Sequence, residues 1–135
     1  MVFAGINYLA VLVAAIAGFA IGSVWYMILG NAWMNALGKT REELKPTPGP
    51  FIAAFLMQLL MAYILAGAMG HLGENTVTVK NGVISAAFCW AGFVLTTMFV
   101  NHRFQGSPLM LTVIDAGHWL FVLLGMGIII GLFGI

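Results

Sequence analysis

Four stretches of this chain, at about residues 2–29, 50–72, 82–101 and 109–133, run without a lysine or arginine well inside them. Each matches the length of about 20 apolar residues that a helix needs to cross the hydrocarbon core of a bilayer. Hydrocarbon offers no hydrogen bonds, so a spanning backbone must satisfy its own, as a helix or a closed barrel. Barrel strands would alternate apolar and polar residues over segments of about ten. These runs are continuous, and they predict helices. The expected fold is therefore all-α: an integral membrane four-helix bundle in up-down-up-down order.

Composition agrees. Of 135 residues 62% are hydrophobic and 7% charged, with a mean hydropathy of +1.06. A soluble domain carries about 25% charged residues. Five basic and four acidic side chains cannot clothe a water-facing surface of this size, so the main partner of that surface is the lipid bilayer. The length suits one four-span domain, residues 1–135. A net charge of +1 gives no field that would gather nucleic acid. Cys89 is the single cysteine, which excludes an internal disulfide and leaves no Cys-based metal site within one chain. The N-terminal run has no basic residue before Lys39 and is too long for a signal-peptide core, so it reads as a retained span.

The linkers give orientation. Linker one holds Lys39, Arg41, Glu42, Glu43 and Lys45, followed by Pro46, Pro48 and Pro50. Residues 31–37 are amphipathic and predict a short interfacial helix between helices 1 and 2. Thr40 and Glu43 have capping-box spacing and predict one helical turn. Pro50 suits the first turn of the second span. Linkers two (73–81) and three (102–108) are short, as antiparallel neighbours require. Linkers one and three share a side and carry Lys39, Arg41, Lys45 and Arg103, against Lys80 alone in linker two. The positive-inside rule then puts linkers one and three in the cytoplasm and both termini outside, in a cell (inner) membrane.

Small residues recur every fourth position: Ala10, Ala14, Gly18 and Gly22; Ala62, Ala66 and Gly70; Gly127 and Gly131. Such stripes let helix backbones approach closely in lipid. Gly18, Gly22, Gly127 and Gly131 are the expected helix-packing positions. One stripe is expected to serve a second copy, which predicts a homo-oligomer, most simply a dimer.

Polar side chains inside the spans are costly in lipid and so worth naming. Asp115 and His118 share one helical face with Thr112. Asn101, His102 and Arg103 end the third span, Gln58 lies in the second, and Tyr26 ends the first. All fall toward the side of linkers one and three. Two readings follow. As bundle glue, Asp115 would pair with Arg103, His102 or His118, with Trp25 and Trp33 as interfacial anchors. As a polar cavity, Asp115 and His118 would bind a proton, ion or small solute, since a histidine beside a carboxylate can exchange a proton near neutral pH. His71 and Glu74 at the opposite face read as a solvated turn. Asp115, His118 and His102 could supply three ligands, but one pair at helical spacing is too little to predict a metal site. No hydrolase, metalloprotease, P-loop or dinucleotide motif is present, so neither an enzyme nor a cofactor is expected.

Two stretches carry a family resemblance. One runs from Ile6-Asn7-Tyr8-Leu9-Ala10 through Gly22-Ser23-Val24-Trp25-Tyr26 to Ala32-Trp33-Met34. The other runs from Asn101-His102-Arg103-Phe104 to Leu111-Thr112-Val113-Ile114-Asp115-Ala116-Gly117-His118. They resemble the uncharacterised bacterial membrane family called domain of unknown function 1761, whose length and four spans are similar. Members often have Ser-Pro where Met27-Ile28 stand here, and Asn and Tyr where Asp115 and His118 stand. The resemblance implies a multi-pass bacterial membrane protein and no particular activity. The reading of the whole sequence is a structural or interaction module that assembles as a homo-oligomer. The alternative is a proton, ion or small-solute transporter or channel subunit that uses Asp115 and His118.

Overall fold

The computed structural model describes residues 5–134, so residues 2–4 of the expected first span lie outside it. Four helices fill the described residues: α1 (Tyr8–Leu37), α2 (Pro48–His71), α3 (Val79–Phe104) and α4 (Leu109–Phe133). All four are long and apolar enough to cross a membrane. The chain is a multi-pass membrane protein, and large apolar side chains such as Met27, Ile28, Phe88, Phe93 and Leu132 stand exposed on its outer surface, where lipid is the solvent.

Each end has a local cause. Asn7 caps α1 by accepting from the Ala10 amide at 3.1 Å. α1 then continues through residues 31–37, which corrects the expected separate interfacial helix. Neither Gly30 nor Asn31 breaks it. It stops at Gly38, whose φ of 69° is left-handed. There the amides of Gly38 and Lys39 bond back to the carbonyls of Asn35 and Met34, a Schellman closure. At 30 residues and ~1.5 Å per residue, α1 is longer than the hydrocarbon core is thick. In linker one the Thr40 hydroxyl accepts from the Glu43 amide at 3.4 Å, as its spacing predicts. Arg41 ties this turn back to Asn31 of α1. Thr47 precedes α2, and Pro48 rather than Pro50 takes its first position. In linker two the Thr76 hydroxyl meets the carbonyls of Met69 and Gly73, while His71 and Glu74 are exposed.

The helices run antiparallel in sequence order. α4 is the most buried of them and α3 the least. The apolar core joins Val11 and Ala14 of α1, Ala62, Leu65, Ala66 and Met69 of α2, Ala86 of α3, and Val122, Leu123, Met126 and Ile130 of α4. α3 and α4 cross at Gly82 and Gly127 in backbone-to-backbone contact, and Gly131 lies against the backbone of Thr78 and Val79. The stripes on α1, α2 and α4 are thus used inside one chain.

One feature of α3 had no counterpart in the sequence reading. Between Trp90 and Leu95 the helix widens into a π segment. Such a segment loosens the backbone ladder, and the Thr96 and Thr97 hydroxyls donate to the carbonyls of Gly92 and Phe93 at 2.8 and 2.6 Å. At its start the Trp90 indole donates to the Ala116 carbonyl of α4 at 2.7 Å. α2 touches the first half of α3 and not the second. The bundle is therefore closed at the linker-two end and open at the other.

Candidate functional site

The opening lies between the end of α1, the start of α2 and the first half of α4. Two cavities meet there, of ≈ 400 and ≈ 650 Å³, sharing Tyr26, Phe51, His118 and Trp119 in their walls. Both volumes fall in the range of small-molecule sites, about 300–1,000 Å³. The outer one is bounded by Asp115, Trp33, Met98 and the linker segment from Glu43 to Thr47. The inner one reaches Gln58 and passes between α1 and α2. Its lateral mouth is formed by Ser23, Met27 and Phe51, all exposed on the lipid-facing side.

The polar lining is set by α1. At Gly22 a Cβ atom would stand 2.7 Å from His118 Nε2; at Gly18 one would stand 2.5 Å from Gln58 Oε1. The two glycines, expected as plain packing positions, provide the recesses in which these polar side chains lie. Close approach at Gly22 also brings Tyr26, one turn on, to α4, and its hydroxyl donates to Asp115 Oδ1 at 2.6 Å. This replaces the expected pairing of Asp115 with Arg103, His102 or His118. Trp33 lies edge-on to Tyr26 at 5.4 Å and also interacts with the Asp115 carboxylate. The His118 ring sits between Tyr26 and Trp119, at 5.0 and 4.6 Å.

Gln58 is 3% exposed and His118 6%. Gln58 Oε1 and His118 Nδ1 nevertheless have no hydrogen-bond partner among the described residues. An unsatisfied buried polar atom costs roughly 1–3 kcal/mol. Arg103 Nε is a third such atom, and a fold that keeps them calls for a reason, a bound molecule or ion among them.

The remaining members of the predicted cluster belong elsewhere. The Thr112 hydroxyl contacts His102 Nδ1 at 2.8 Å and accepts from Arg103 at 3.1 Å; Arg103 also donates to the Ser107 carbonyl and lies over the Phe99 ring. These bonds fasten linker three to α4. Asn101 is exposed and joins neither group. Trp25, expected as an interfacial anchor, turns inward: its indole donates to the Ile114 carbonyl at 3.1 Å and packs on Phe121. Trp33 likewise faces the cavity. No group of three His, Cys, Asp or Glu side chains among the described residues could hold a metal ion. Sequence reasoning missed Phe51, Trp119, Met98 and the linker wall. Only Trp119 left a signal, an aromatic ring next to an ionisable residue inside a span.

Residues 9–131 match the family described as protein of unknown function (DUF1761). No curated protein and no solved structure matches the chain. The match spans most of the sequence, and the chain belongs to this family.

Proposed function

We propose that this protein binds a small solute within the membrane, in the cavity formed by Tyr26, Gln58, Asp115 and His118, as a carrier or receptor subunit of the cell (inner) membrane. The observation that carries the reading is that two side chains lining one cavity, Gln58 and His118, each keep a buried polar atom, Oε1 and Nδ1, without a hydrogen-bond partner. A module that only packed against other proteins would gain nothing from them.

A cysteine in place of Ala54 tests this. Ala54 lines the inner cavity. In a Cys89→Ser background, Ala54→Cys is expected to react with a charged, membrane-impermeant thiol reagent, and a cysteine at the buried Ala62 is not. Reaction from the cytoplasmic side alone would support linkers one and three as cytoplasmic. An unreactive Ala54→Cys means a dry cavity and removes the reading.

Gln58→Met supplies a second check. Removing a buried amide whose oxygen is unpartnered is expected to stabilise the ligand-free protein by about 1 kcal/mol, seen as a higher melting temperature in detergent. A loss of similar size would mean that the amide is satisfied within the protein.

Assembly as a homo-oligomer, simplest as a twofold dimer, is proposed on a different footing. The stripes that suggested it are internal, but α3 is the least buried helix and exposes Phe88, Phe93 and Phe99. The copy number of protein released gently from its membrane decides the matter.

A further inference from the structure

We propose that the solute is a lipophilic organic cation. This deepens the binding reading above and rests on it. Four aromatic rings line the outer cavity, those of Tyr26, Trp33, Phe51 and Trp119, and the Asp115 carboxylate lies among them. Aromatic faces and a carboxylate together form the recognised environment for an organic ammonium or phosphonium group, which sheds water more readily than a metal ion.

Among the described residues no cationic side chain forms a salt bridge with Asp115. The groups that act on it are Tyr26, Trp33 and His102. Tyr26 and Trp33 are neutral donors. His102 is held through Nδ1 by Thr112, and Arg103 is turned to Ser107 and Thr112. Of the other charged groups in the cavity wall, Glu43 and Lys45 are both exposed on the linker and offset one another. A carboxylate in a membrane span with no ion-pair partner in contact, and only His102 acting on it at longer range, is completed by a mobile cation.

The mouth fits the same class of molecule. Ser23, Met27 and Phe51 open the inner cavity sideways between α1 and α2. A cation with an apolar body concentrates in the bilayer and can arrive by that route, its charge meeting Asp115 about two turns into α4.

The test uses two ions of nearly the same shape and opposite charge, tetraphenylphosphonium and tetraphenylborate, titrated into the full-length protein in neutral-lipid nanodiscs with empty nanodiscs as the blank. Quenching of tryptophan fluorescence reports occupancy near Trp33 and Trp119. The phosphonium is expected to bind saturably and the borate not. Asp115→Asn, which keeps size and can still accept from Tyr26, is expected to weaken phosphonium binding at least about tenfold, the scale of a lost desolvated charge contact. If the borate binds as well as the phosphonium, or Asp115→Asn changes nothing, the cation class is wrong while a binding cavity stands. If neither ion binds, the cation class is wrong, and the Ala54→Cys result separately tells whether the cavity is wet.

Discussion

Gly82→Ala is expected to destabilise the protein by about 2–3 kcal/mol, the upper part of the range for forcing an atom into a filled space. The new Cβ would fall on the Gly127 carbonyl of α4, which is backbone and cannot turn away. The helices would have to separate, and the contact between Gly131 and the backbone of Thr78 and Val79 would open with them. Alanine in a helix ordinarily gains about 1 kcal/mol over glycine, so a net loss reports the crossing itself. Thermal unfolding in detergent, followed by tryptophan fluorescence, measures it. Gly127→Ala should behave the same way, because the contact is reciprocal. An unchanged melting temperature for both would mean that α3 and α4 do not cross there.

The same substitution at Gly22 of α1 should leave stability nearly unchanged. Gly22→Ala also places a Cβ too close to a neighbour, but that neighbour is His118 Nε2, the tip of a side chain with a cavity beside it. The imidazole can relieve the contact by turning into the cavity. The helix-propensity gain of alanine, about 1 kcal/mol, offsets the rotamer change, so the melting temperature should hold within a few degrees. Ligand binding should not. The displaced ring fills the space between Tyr26, Gln58 and Trp119, and affinity is expected to fall by roughly tenfold or more, as when a ligand loses one well-made contact. A Gly22→Ala protein that melts normally and binds normally would show that the recess at Gly22 has no bearing on the cavity.

The contrast between Gly22 and Gly82 shows why sequence alone went only part of the way. The spans were legible because lipid imposes long, uninterrupted apolar runs, and α4 lies within residues 109–133 as read. The end of α1 was not, because Gly30 and Asn31 resemble a break, whereas the stop at Gly38 depends on a left-handed backbone conformation. The π segment at Trp90–Leu95 left no mark, since its residues are ordinary members of an apolar run. Asp115, His118, Gln58 and Tyr26 were each conspicuous as polar groups in lipid. Their partners were not, because partner choice depends on helix register: approach at Gly22 gives Asp115 to Tyr26 and leaves Arg103 to Thr112. A glycine stripe reads alike whether it meets a backbone or a side chain.

Native mass spectrometry of the wild-type protein, released gently from its own membrane beside Gly22→Ala, tests the central claim most directly. A binding cavity predicts a wild-type peak carrying a bound non-lipid molecule of defined mass, absent from Gly22→Ala at the same copy number. A wild-type protein carrying only lipid, or the same adduct undiminished on Gly22→Ala, would contradict it.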